Sequence, residues 1–284
     1  MKIANLSGRA TIITERGGID VALSSDGRFS TSVDELLGEL DALREWLERE
    51  QPEADPKFKE AELQSNLEIL GPPITRPCQI FAVGLNYAAH ADEVEMARPE
   101  QPMIFTKFAS ALTGPGAAIP LPNNTVDWEV EMVAVVGKGG RDISQADALE
   151  HVAGYCVGQD ISERSLQMAT NPPQFSLAKS YQGFAPIGPW LTTADEITDP
   201  QSLDIECHIN DELMQASNTA LMLFNLTDLI SYLSSVCALF PGDLIFTGTP
   251  NGVGFRRDPP RFLRSGECLA SRIGQLGELR NRAE

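Results

Sequence analysis

Positive charge, histidine and cysteine are all scarce in this chain of 284 residues. Lys and Arg number 22 against 40 Asp and Glu, leaving a formal net charge of −18. So acidic a chain is poorly suited to phosphate backbones or anionic lipid surfaces, so neither nucleic acid nor membrane is an expected partner. An anionic ligand must then be met by local positive charge or by a metal. No run of roughly 18 apolar residues occurs, so no membrane-spanning helix is expected. The opening MKIANLSGRATIITERGG lacks the continuous apolar stretch and small-residue cleavage site of a secretory leader, and a cytoplasmic protein is expected. The five cysteines, Cys78, Cys156, Cys207, Cys237 and Cys268, are odd in number, widely spaced and form no CxxC pair. That pattern suggests neither a zinc site nor a disulfide framework and predicts small buried side chains. Of the three histidines, His151 and His208 sit in helix and strand patterns without an acidic partner and are expected to be structural.

What is present divides the chain in two. Residues 1 to about 30 alternate apolar and polar, with Gly17-Gly18 and Asp26-Gly27 as turn signals, and read as short antiparallel strands. SVDELLGELDALREWLERE follows with helical periodicity and a capping-box pattern, Ser32 with Glu35. Residues 1–72 therefore predict a small N-terminal β–α domain serving packing or dimerisation, and residues 73–284 the domain that carries the chemistry. In the second part, strand-like runs separated by Pro and Gly turns outnumber helices, an α+β layout rather than repeating βαβ units. Two helices are expected there, over about 144–151 with Ser144 as cap and over about 226–239 with Asn225 as cap.

Several positions look chemical. In VDWEVEMVAVVG, residues 126–137, Glu129 and Glu131 fall two apart and so share a strand face. Either that face meets solvent, or a hard, oxygen-preferring cation such as Mg²⁺ or Mn²⁺ relieves the repulsion. Asp160 ends the apolar run AGYCVGQD and is either a helix cap for ISERSLQ or a third ligand. His90 and Glu93, three apart in GLNYAAHADE, share a face if helical; a carboxylate beside an imidazole orients it and makes a usable base. Lys179, between an apolar run and a Gly/Pro-rich loop, either snorkels to solvent or stabilises an oxyanion in a cleft. The Gly-rich turn in PGDLIFTGTPNGVG offers backbone N–H groups and the Thr249 hydroxyl to an anion, but lacks the Lys-Ser/Thr of a nucleotide loop.

GLNYAAHADE, PMIFTKFASALTGPG, DWEVEMVAVVGK, GQDISERSLQ, LAKSYQGFAPIGP and PGDLIFTGTPNGVGFRRDPPRFLRSGE, in this order over about residues 76–282, resemble the fumarylacetoacetate hydrolase family. The resemblance implies a mixed β-sandwich roll, a homodimer, and a Mg²⁺ or Mn²⁺ site (Ca²⁺ substituting in crystals) built from Glu129, Glu131 and Asp160. It implies a His90–Glu93 dyad that activates water, Lys179 polarising substrate or stabilising an enolate, and Arg164, Gln167 and Thr249 holding substrate. Many relatives read KSFDGFAP where this chain has Lys179-Ser180-Tyr181-Gln182-Gly183, so Gln182 stands in place of an acid. The implied reaction is hydrolysis of a carbon–carbon bond in a small 2-oxo or 2,4-diketo acid, of the acylpyruvate or fumarylpyruvate type met in aromatic-compound breakdown. Oxaloacetate decarboxylation, ketonisation of an enol, isomerisation and sugar-acid hydrolysis or dehydration are the alternatives. A non-catalytic metal-dependent binding protein is disfavoured by the presence of His90, Glu93 and Lys179 together.

Overall fold

The structure, a computed structural model, describes residues 1–284. Strands β1 (Lys2–Leu6), β2 (Arg9–Thr14) and β3 (Gly17–Asp20) form an antiparallel meander. The first turn is Ser7-Gly8, both at positive φ, the two-residue geometry that suits strand twist. Gly17 and Gly18 belong to β3 rather than to a turn; a Cβ on Gly17 would lie 2.1 Å from the Asp55 carbonyl oxygen, so glycine is needed for that approach.

The expected N-terminal helix is two: α1 (Val33–Leu36) and α2 (Leu40–Glu50), interrupted around Gly38. The capping box does not form. The Ser32 hydroxyl bonds Asp34, and Glu35 accepts instead from Ser30. The apolar stripe still does its work, burying Leu36, Leu43 and Trp46, with Trp46 edge-on to Phe29 at 5.6 Å.

The rest of the chain supplies β4 (Ile80–Gly84), α3 (Ala88–Glu93), β5 (Met103–Thr106), β6 (Val130–Val136), β7 (Val152–Gln159), α4 (Arg164–Gln167), α5 (Phe175–Ala178) and β8 (Ala185–Thr193). It continues through β9 (Asp204–Ile209), β10 (Glu212–Asn218), α6 (Leu226–Val236), β11 (Leu244–Phe246), β12 (Cys268–Ile273) and β13 (Gly277–Arg282). One large mixed sheet runs β3-β2-β1-β8-β7-β6-β11-β4-β5; a second, antiparallel, runs β10-β9-β12-β13. The α+β expectation holds, as two main sheets rather than a closed barrel. The N-terminal strands are not a separate layer: β1 pairs antiparallel with β8, Lys2 opposite Thr192, so residues 2–20 extend the large sheet.

Every residue of β6, β7 and β8 is buried, which is why these segments read as continuous apolar runs rather than alternating ones. Helix α6 begins with the expected Asn225, in a full capping box with Asp228, an arrangement that contributes about 1 kcal/mol. The helix expected over 144–151 is instead a 3₁₀ turn at Ala148–His151; the Ser144 hydroxyl bonds the Asp147 side chain and holds a local turn. Cys156 and Cys207 are buried as expected, whereas Cys237 and Cys268 are half-buried and Cys78 is exposed.

Candidate active site

The stretch carrying the two glutamates is not one strand. Val126–Asp127 pairs with Ser162–Glu163, and β6 begins only at Val130. Glu129 stands in the break, fixed by its backbone on both sides: its N–H donates to the Gln159 side chain at 2.8 Å, and its carbonyl accepts from the Asp160 N–H at 2.9 Å. Asp160 follows the last residue of β7 and is thereby set beside Glu129, while Glu131 lies opposite Gly158 across the ladder. Glu163, not Asp160, caps α4. Carboxylate oxygens of Glu129, Glu131 and Asp160 lie within 4.8 Å of one another, and all three residues are buried. Neither residue of the Glu pair faces solvent.

Three buried cations surround them. The Lys179 ammonium donates to Glu129 at 2.9 Å, to Asp160 at 2.7 Å and to the Ser162 hydroxyl at 2.8 Å, so it does not snorkel. Arg164 donates from Nη2 to Glu129 at 2.7 Å, from Nε to Asp127 at 2.8 Å and from Nη1 to Gln167 at 2.8 Å. The third cation, Lys107, was not singled out by its sequence pattern. It ends the run PMIFTK and donates to Asp160 at 2.5 Å and to the Lys179 carbonyl. Its signal was the same as that of Lys179, a lone lysine closing an apolar strand. Asp127, in the same stretch as the glutamates, joins the cluster. It accepts from the backbone N–H groups of Gly254 and Phe255 as well as from Arg164, tying the arginine to the loop after β11.

Four buried carboxylates thus face three buried cations, and Glu131 is the one acid with no cation bonded to it. Its only hydrogen bond is from the Gly248 N–H at 2.8 Å. Burial, then Asp160 and Glu129, push its carboxyl well above the usual carboxylate range. Burial also opposes ionisation of Glu129, but Lys179 and Arg164 outweigh it and hold that carboxyl low. Lys179 is likewise raised, its burial outweighed by Asp160 and Glu129, whereas burial holds Lys107 below the ordinary lysine range. A short-ranged deficit of positive charge at three clustered oxygens suits a hard divalent cation, and the residues present fit one.

The dyad is formed. His90 Nδ1 lies 3.1 Å from Glu93, and the second oxygen of Glu93 accepts from the Gly252 N–H at 2.9 Å. The Gly-rich loop therefore aims its amides at the chain's own acids, Glu131, Glu93 and Asp127, rather than at an open anion site. Thr249 donates to the Val130 carbonyl at 2.9 Å and accepts from Gln215 at 2.8 Å. His90, Glu129, Arg164, Gln167, Lys179 and Thr249 all line one cavity of about 640 Å³. Glu131, Asp160 and Glu93 do not line it. Gln182 is absent from this cavity; it is exposed and lines a separate groove with Tyr181 and Glu284, so it leaves the surroundings of Lys179 unaltered.

The chain is similar to known proteins in sequence and in fold. The model of the fumarylacetoacetate hydrolase C-terminal family matches residues 79–284, and the chain belongs to this family. Among curated relatives, the mitochondrial oxaloacetate tautomerase FAHD2B of Bos taurus is 47% identical over 212 residues, 74% of this chain and 68% of that protein. Among solved structures, a protein assigned as HpcE from Mycobacterium smegmatis superposes with a TM-score of 0.92 at 46% identity, covering 100% of this chain and 99% of that one. A maleylpyruvate hydrolase from Sphingobium sp. SYK-6, solved with manganese(II) and pyruvate, has a TM-score of 0.79 at 28% identity over 100% of this chain and 98% of its own. No helix here is long and apolar enough to cross a membrane.

Proposed function

We propose that this chain is a divalent-cation-dependent enzyme that moves a proton at the carbon beside the carbonyl of a small 2-oxo acid, interconverting keto and enol forms as for oxaloacetate. The observation that supports it is that the His90–Glu93 dyad opens onto the same cavity as Lys179, Arg164 and Glu129. With Nδ1 donating to Glu93, the lone pair would fall on Nε2 of an imidazole that lines the cavity. It takes the proton from C3; the C–H electron pair becomes the C2–C3 double bond, and negative charge moves to the C2 oxygen. Lys179 and Arg164 supply fixed positive charge for that oxygen in a water-poor site. Lys179 spends all three N–H groups on Glu129, Asp160 and Ser162, so turning either carboxylate toward a bound cation would free one for the substrate. A Mg²⁺ or Mn²⁺ ion held by Glu129, Glu131 and Asp160 would polarise the 2-oxo and carboxylate oxygens of the acid.

A second reading keeps the same enolate but starts by cleaving an acylpyruvate, with His90 activating water. The formed dyad favours it, since water activation is what such a pair does well, and the maleylpyruvate hydrolase is similar over the whole chain. The homodimer, the cytoplasmic location and any place in aromatic-compound breakdown remain parts of this proposal; the bovine relative is a mitochondrial protein by name. A substrate panel separates the readings. Enol oxaloacetate should be ketonised without release of CO₂, and that rate should exceed acylpyruvate cleavage. Faster release of pyruvate and a free acid from an acylpyruvate would replace the first reading by the second, and CO₂ release would replace both by decarboxylation.

A further inference from the structure

We propose that Arg256 determines specificity by binding a second carboxylate, so that the site takes 2-oxo dicarboxylic acids in preference to 2-oxo monoacids. This deepens the reading of the site as one for 2-oxo acids and rests on it. Of the cations lining the cavity, Lys179 is bonded to Glu129, Asp160 and Ser162, and so serves the end of the substrate beside the carboxylate cluster, and every nitrogen of Arg164 is committed to Asp127, Glu129 or Gln167. Arg256 also lines the cavity, and its commitments are slight. One nitrogen, Nη2, donates to the Val94 carbonyl. Its nearest acid, Glu95, is 3.9 Å away with a side chain 83% exposed, a pairing of little energetic weight. Nε and Nη1 make no hydrogen bond, which leaves Nη1 to donate to a ligand carboxylate.

The two guanidiniums are near enough for one short molecule to reach both. Arg164 and Arg256 pack against the same ring: the Arg164 guanidinium carbon is 4.3 Å from the Phe255 centroid and that of Arg256 is 5.3 Å. The two guanidiniums are thus separated by no more than those distances laid end to end. One belongs to the buried carboxylate cluster and the other to the rim, where the Arg256 side chain is 35% exposed. The same cavity is lined by Met103, Phe105, Met168 and Phe175, apolar surface that suits an uncharged carbon spacer. In a protein of net charge −18, a doubly anionic ligand needs such a dedicated cation at each end. Arg257, next in sequence, does not serve: it bonds the Met214 and Gly252 carbonyls and lies over Trp128.

The test has a binding arm and a catalytic arm. Calorimetry on Mn²⁺-loaded protein compares 2-oxopentanedioate with 2-oxopentanoate, which differ only in the terminal carboxylate. The wild type should bind the diacid about tenfold or more tightly, as expected for one charge-assisted pair worth roughly 1.5 kcal/mol. Arg256→Gln should remove most of that preference, and Arg256→Lys should restore part of it. In the catalytic arm, Arg256→Gln should raise KM for oxaloacetate several-fold more than for phenylpyruvate, with the larger change in KM rather than kcat. A wild type without preference for the diacid, or a Gln variant that keeps it, overturns the proposal; so does an equal loss on both acids, which would mark Arg256 as only a tie to Val94. If binding follows the prediction while neither acid is turned over, the reaction reading fails and the Arg256 assignment stands.

Discussion

Glu131 is the residue on which the site's charge balance turns. Its folded carboxyl is held above its unfolded range by burial and by Asp160 and Glu129. A carboxyl raised on folding retains a proton that the unfolded chain releases, so cation-free stability should fall as pH rises from the ordinary carboxylate range through the raised value. Gln at this position keeps the shape without the charge. In cation-free protein, Glu131→Gln should therefore melt higher than wild type, with the gap widening toward alkaline pH in a thermal-shift series. The sign should reverse with metal. At a hundredfold excess over Kd, Mn²⁺ should stabilise the wild type by about 2.7 kcal/mol, roughly 5 °C or more at this size, and Glu131→Gln should lose most of that gain. Full retention of the Mn²⁺ shift in the variant would remove Glu131 from the ligand set. Glu129 is a poorer probe, because stripping one partner from a buried ionic network costs about 3–5 kcal/mol on its own.

At the scale of elements, the loop after β11 organises the acids. Gly248 has φ +95°, and a Cβ there would lie 2.7 Å from the Asn86 Cβ. Asn86 cannot yield, since its side chain is tied to the Thr247 and Phe224 carbonyls. Gly266 makes a control: its φ is +86°, but nothing stands within 4 Å of an added Cβ. Both Gly→Ala changes should lower Tm, by about 1–3 kcal/mol of backbone strain, but only Gly248→Ala should also weaken Mn²⁺ binding measured by calorimetry, because it displaces the amide that holds Glu131. Equal metal affinity in the two variants would show that the loop does not position the acid. The sequence showed that this turn brings amides near negative charge but not whose charge it was, because Glu131 is 117 residues away and Glu93 is 159 residues away along the chain. Local signals fared as their range allows. That Glu129 and Glu131 lie together was legible, although Glu129 stands in a break before the strand rather than on its face, and the Asn225 cap was legible too. Lys107 was not, because a lysine closing a strand reads the same whether it reaches solvent or a buried aspartate. The 144–151 segment misled because its Ser144–Asp147 pattern serves a turn as readily as a helix.

At the scale of the molecule, an acidic protein concentrates Lys179, Arg164 and Arg256 at one cavity, with Lys107 buried against Asp160. Long-range repulsion from the net charge is screened beyond about 8 Å at physiological salt, so local cations decide what binds. The frame for that cavity is a single large sheet to which the N-terminal strands contribute through β1 and β8. The sequence could divide the chain at residue 72 by composition, yet sheet pairing between residues 2 and 192 is invisible to any local pattern. In the proposed reaction the His90–Glu93 dyad and the three-carboxylate cluster act together on one 2-oxo acid. The most direct test follows the enol absorbance of oxaloacetate in stopped flow with Mg²⁺-loaded protein, against Mg²⁺ alone. The wild type should speed decay of the enol, chelator should abolish the acceleration, and His90→Ala should slow it about 10²–10⁴-fold while still binding metal. Enol decay no faster than with Mg²⁺ alone, or an acceleration that survives His90→Ala, would contradict it.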